Sequence, residues 1–130
     1  MIIASLKELR PVPSTLQLKH PITGELVFTG DNEPLTITMV GQDSTQVFDE
    51  VLLSAKRRAE AGEHGKTTEF DIAERHSFIT AAITGWSHDD FFGGKFSKKK
   101  IAEFVRDPEN AALVGQIEVH LLERANFFAK

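Results

Sequence analysis

Two periods of apolar and polar positions run along this chain, and the change between them falls at Gly41. Ahead of it lie three short period-2 segments. Leu16 and Leu18 share a face in residues 15–19, Leu26 and Phe28 in residues 25–29, and Leu35, Ile37 and Met39 in residues 35–40. The links between them carry Pro21, Gly24, Gly30 and Pro34 and read as turns. This pattern predicts an antiparallel three-stranded β-meander at the N-terminus, apolar on one face and solvated on the other. Three short strands do not stand alone, so the apolar face is expected against helices or a partner. Residues 1–14 form a lead-in that Pro11 and Pro13 keep extended.

Beyond Gly41 the period is helical. Asp43 or Ser44 caps a helix predicted over 44–61, in which Val47, Phe48, Val51, Leu52, Ala55 and Ala59 recur at helical spacing. Lys56, Arg57, Arg58 and Glu60 fall towards its outer side and end, and Gly62 is the C-cap. Thr67 or Thr68 opens a second helix, 67–84, striped by Phe70, Ala73, Ile79 and Ile83 and widened by Phe78, Ala81 and Ala82. That width implies more than one neighbour and could serve a contact between copies. Gly85 ends it, and a loop holding Phe91, Phe92 and Phe96 runs to Ser97, the cap of a third helix over 98–106. Lys98, Lys99 and Lys100 stand at its start, where the helix dipole disfavours cations, so they are assigned to solubility or partner contact. Asp107-Pro108-Glu109 starts the last helix, 108–128, with Val114, Ile117, Leu121, Ala125 and Phe128 on one side. The expected fold is helix-dominated α+β, one domain over 1–130 with strands in 15–40 and a helical part in 43–128.

Composition narrows the function classes. A chain of 130 residues with 41% apolar and 26% charged side chains is an ordinary globular domain, able to bury about two thirds of its unfolded surface. A net charge of -4 argues against duplex nucleic-acid binding, which needs a basic face. The absence of cysteine excludes disulfides, thiol catalysis and thiolate zinc sites. The start Met1-Ile2-Ile3-Ala4-Ser5 is too short and uncharged for a signal peptide, and no apolar run approaches the roughly 18 residues of a membrane span.

Candidate chemistry is sparse. His88, Asp89 and Asp90 are the most ligand-like cluster, but consecutive residues cannot all aim at one ion without a distant partner such as His64, His76 or His120. A solvated loop with turn acids is the preferred reading. Gly93-Gly94 lacks the strand and helix context of a phosphate loop, and Lys95 with the three following lysines reads as a solvated helix start. No catalytic, cofactor or metal residue is assigned. The aromatics leave two readings open: a second core under the loop, with Trp86 plugged against the last helix, or a subset exposed to a partner. Phe127 and Phe128 at the chain end, with Leu121, Phe91 and Phe92, are the candidate partner-binding residues.

The ordered run Ile83-Thr84-Gly85-Trp86, an acidic glycine-bearing loop, Phe96-Ser97, a Pro108 break and a closing Glu123-Arg124-Ala125-Asn126-Phe127-Phe128 resembles the tail assembly chaperones of lambdoid long-tailed bacteriophages. The likeness covers about the last forty-five residues, and the strands in 15–40 are compatible with it. It implies a non-enzymatic, cofactor-free morphogenesis factor in the host cell cytoplasm, absent from the mature virion. Such proteins bind the tape measure protein, keep it soluble, and help tail tube subunits polymerise around it. The resemblance further implies self-association and a longer frameshift product that recruits the tube protein, this chain being the short form. Two other classes stay open: a head–tail connector or tube-related subunit, and a small metal enzyme built on His88, Asp89 and Asp90.

Overall fold

The computed structural model of the protein describes residues 1–129. Strands Ser14–Gln17 (β1), Thr36–Met39 (β2) and Ile83–Trp86 (β3) make one antiparallel sheet in the order β1-β2-β3. Helices Thr45–Ala61 (α1), Thr68–Ala82 (α2), Lys98–Arg106 (α3) and Ala111–Leu122 (α4) supply the rest, joined by short 3-10 turns. The fold is α+β and helix-dominated. The first three helix starts follow from their caps: Ser44 Oγ accepts from the Val47 N–H, Thr67 Oγ1 from Phe70, and Ser97 Oγ from Lys100. Helix α4 has no side-chain cap and continues from a 3-10 turn Pro108–Asn110 that Asp107 caps.

The third strand is not the one that alternation predicts. Residues 25–29 make only isolated bridges, Lys19 with Leu26 and Phe28 with Pro34. The backbone explains why. The Val27 N–H donates to the Leu18 carbonyl and the Leu35 N–H donates to the Val27 carbonyl, so Val27 turns inward between the strand ends. Leu26 and Phe28 are thereby left exposed. The free side of β2 is taken by residues 83–86, which follow α2 without a loop, Ile83 being both the helix C-cap and the first strand residue. A register shift between Thr38 and Met39 accommodates the junction.

The last helix stops at Leu122, six residues before the expected end at 128, and a 3-10 turn Arg124–Phe127 replaces its final portion. Asn126 Nδ2 reaches back 3.0 Å to the His120 carbonyl, and Arg124 leaves the helix line to pair with Asp43. The lead-in is likewise more than extended chain. Ser5 and Glu8 form a capping box on a 3-10 turn Leu6–Leu9. Further on, the Val12 N–H donates to the Phe127 carbonyl at 2.7 Å.

One core cluster joins sheet and helices, with Ile37 and Met39 from β2, Ile79 from α2, Ile101 from α3, and Ile117 and Leu121 from α4 all solvent-free. Each such side chain contributes roughly 1.5–3 kcal/mol of burial. Helix α1 is the exception, because Val47 is its one fully buried residue. It is held to α2 by charge instead. Arg57 donates two parallel hydrogen bonds to Glu74, at 2.8 and 2.6 Å, and also bonds Glu50. These carboxylates hold the Arg57 guanidinium above its ordinary pKa, and Arg57 holds Glu74 below the usual carboxylate value.

Candidate functional site

The partner-binding residues expected from sequence separate into core and surface. Phe127 is 1% exposed, and Leu121 and Phe92 are also buried, so these three are structural. Phe127 is enclosed because residues on both sides of it in space are fixed. The N-terminal Val12 bonds its carbonyl, the His120 ring meets its face edge-on at 5.8 Å, and Gly41 lies directly beneath it. Phe128 is half-buried and bridges Pro11. Phe91 alone of the five stands well out, at 55% exposed.

Trp86 and the loop after it form a small aromatic cluster. The indole stacks on Phe92 at 4.8 Å between centroids and meets Phe96 edge-on at 5.0 Å, while Phe92 continues to Phe104 of α3. Trp86 is half-buried, and its aromatic neighbours Phe92 and Phe96 both belong to the loop, whereas the expectation was a Trp86 plugged against the last helix. Its Nε1–H donates to Asp89 Oδ1 at 2.8 Å. His88 lies 2.6 Å from Ser87 Oγ through Nδ1 and 3.1 Å from Glu33 through Nε2. Asp89 and His88 are therefore engaged in fastening the loop, and among the described residues no group of three or more His, Asp or Glu is placed to hold a metal.

Lys98 has a structural role that its position in sequence did not reveal. Its ammonium donates to the carbonyls of Thr80, Ala81 and Ile83, at 3.1, 3.1 and 2.7 Å. It satisfies orphan acceptors at the C-terminal end of α2, where the dipole favours a cation. Burial there pushes its pKa below the ordinary lysine value. The hollow of about 450 Å³ between α1, α2 and α3 thus contains cations that are already committed. Arg57 is bound by two carboxylates, Lys98 by three carbonyls, and Arg106 bonds the Ala102 carbonyl. It is no anion site.

An open concavity of about 730 Å³ runs between β1 and α4. Leu16, Gly115, Val119 and Leu122 give it an apolar surface, with Lys19 and Glu123 also in its lining. Val119 is 72% exposed and Leu122 is also well exposed. Polar contacts hold the two walls together. Gln116 accepts from the Lys19 N–H at 2.9 Å and donates to its carbonyl at 2.7 Å, as a neighbouring strand would. His120 closes the other end. Asn126 Nδ2 is a donor, so His120 Nδ1 accepts at 3.2 Å, and the proton on Nε2 goes to Ser14 Oγ at 2.8 Å. Burial holds that imidazole below its ordinary pKa, which keeps the neutral ring that both bonds need.

These groove residues were not singled out from sequence, although a signal was present. A helix with Leu113, Val114, Ile117, Val119, Leu121 and Leu122 is more apolar than one buried face requires. Gly115 in mid-helix weakens it, and an added Cβ there would meet nothing within 4 Å, so no internal packing demands the glycine. Among the described residues no helix is long and apolar enough to cross a membrane. Comparison of the chain with protein-family models, curated proteins and solved structures finds no match in any of the three.

Proposed function

We propose that the protein is a non-enzymatic tail assembly chaperone of a long-tailed bacteriophage, acting in the host cell cytoplasm and absent from the finished particle. In this reading it binds apolar helical segments of the tape measure protein in the groove between α4 and β1. It keeps that client soluble and promotes polymerisation of the tail tube around it, the tube protein being recruited through a longer frameshifted product. The groove carries the reading. An amphipathic helix lays apolar residues at steps of three and four into a hollow of this kind, and Leu16, Val119 and Leu122 offer such residues a surface. The choice of client class rests on the resemblance carried by residues 83–128.

The test is co-expression with the tape measure protein of the same phage, using the native chain and Gly115→Leu. The new side chain points into open groove and away from the core, so it blocks the hollow without disturbing packing. The native chain is expected to keep the client soluble and co-purify with it, and Gly115→Leu to lose most of the recovered client while folding normally. An insoluble client with the native chain, or equal recovery with both chains, overturns the proposal.

A further inference from the structure

Helix α1 is turned the unusual way round. Its side facing α2 is polar, with Glu50 and Arg57 bonded to Glu74, and Arg58 paired with Asp71 and seated over the Phe70 ring. Its solvent side carries the large apolar residues, with Phe48 59% and Leu52 55% exposed and Val51 and Leu53 about as open. Along that outer side Thr45, Phe48, Leu52, Ala55 and Ala59 follow one another at steps of three, four, three and four, the spacing of a helix–helix seam. Asp49 and Lys56 stand seven residues apart along one flank of the seam, and neither has an ion-pair partner among the described residues.

We infer that the outer face of α1 docks antiparallel on α1 of a second copy of this chain, about a two-fold axis passing midway between Leu52 and Ala55. Two complementarities select that occupant and that direction. In size, the large seam residues lie in the N-terminal half and the small ones in the C-terminal half. An antiparallel pair sets Phe48 against Ala59 and Leu52 against Ala55 of the other copy, large on small in every layer. A parallel pair stacks Phe48 on itself and leaves a void between the two Ala59 positions. In charge, antiparallel packing brings Asp49 of each copy beside Lys56 of the other, whereas in a parallel two-fold pair this flank lies on opposite sides of the seam in the two copies and the charges do not meet. A two-fold axis closes the contact, each pair occurring twice, so the assembly ends at a dimer unless another surface extends it. The groove between α4 and β1 lies on different elements, so the inference does not depend on which client, if any, the groove takes.

Sedimentation velocity on the full chain across a micromolar concentration series tests this. The native protein is expected to show a reversible monomer–dimer equilibrium. Leu52→Glu, at an exposed position, should retain its helical circular dichroism and weaken dimerisation at least tenfold. Asp49→Lys and Lys56→Asp should each weaken the dimer, and the two combined should restore it, because the swapped charges again face opposite partners. The chain has no cysteine, so introduced thiols report direction cleanly. Under oxidation, Ala59→Cys should cross-link to Phe48→Cys in a mixture and not to itself. A native protein that stays monomeric throughout overturns the inference. So does a dimer indifferent to Leu52→Glu, a double charge swap that fails to restore association, or efficient self-cross-linking at position 59.

Discussion

A Cβ built on Gly41 would lie 2.6 Å from Cγ of Phe127, so the glycine at the end of the sheet region exists to let the C-terminal ring in. The contact joins residues 86 positions apart and seals the core where strand β2 hands over to α1. Gly41→Ala should force the ring or the backbone to move and lower stability by about 1–3 kcal/mol. Phe127→Ala, leaving a cavity under Gly41, should cost about 3–5 kcal/mol. Urea denaturation measures both. If the cavity interpretation holds, combining the two substitutions should cost less than their sum, since the alanine at 41 then meets no ring.

That contact also marks what the amino-acid pattern could and could not convey. The starts of α1, α2 and α3 were legible because their signals are local, Ser44, Thr67 and Ser97 each capping the turn it begins, while Asp107-Pro108 begins a 3-10 turn and α4 itself starts three residues later at Ala111. The burial of Phe127 was not legible, because it depends on Val12, Gly41 and His120 arriving from three places in the chain. Periodicity likewise shows which side chains of α1 share a face, but not whether that face meets the core. Phe48 and Leu52 look like inner residues until the ion pairs of Arg57 are seen to hold the opposite side. For β3, four residues continuing directly from a helix carry no period of their own.

Trp86 gathers the loop after β3 through Phe92, Phe96 and Asp89, and Phe92 carries the cluster on to Phe104 of α3. Trp86→Ala should cost about 3 kcal/mol, at the lower end for a large aromatic because the indole is only half-buried. Asp89→Ala, which strips the indole N–H of its acceptor, should cost about 1 kcal/mol. His88→Ala should have a smaller effect, since its pairing with Glu33 is at the surface. Thermal melts of the three variants rank them, and an Asp89→Ala melt equal to that of the native chain would show that the indole bond contributes nothing.

Lys98 should matter far more than its two neighbours. Lys98→Met keeps the aliphatic stem but leaves the carbonyls of Thr80, Ala81 and Ile83 without their donor, a loss of about 1–3 kcal/mol. Lys99→Met, made as a control on the exposed side of α3, should fall within about 0.5 kcal/mol of the native protein. Equal effects from both would mean that lysine at the start of α3 acts through net charge rather than by closing α2.

The closure of the groove by His120 predicts a dependence on pH. An imidazole in the unfolded chain takes up a proton as pH falls through about 6.5, its ordinary value. In the folded protein burial depresses the pKa, so the ring resists protonation over the interval just below. The unfolded state then binds more protons, and stability must fall as pH drops from about 6.5 towards the folded value, levelling off beneath it. Above 6.5 the ring is neutral in both states and contributes no slope. Protonation would also place a donor on Nδ1 facing the Asn126 amide, so the C-terminal turn should loosen in the same interval. The paired carboxylates act elsewhere: Asp43 and Glu74, held low by Arg124 and Arg57, lose their contribution only as pH falls below their ordinary values of 3.8 and 4.5. Tm followed by circular dichroism should therefore decline between pH 7 and pH 5.5 in the native chain. His120→Gln, which keeps a neutral side chain of similar reach, should decline less over that range while matching the native slope below pH 4. Parallel slopes from pH 7 to pH 5.5 would remove His120 as the source.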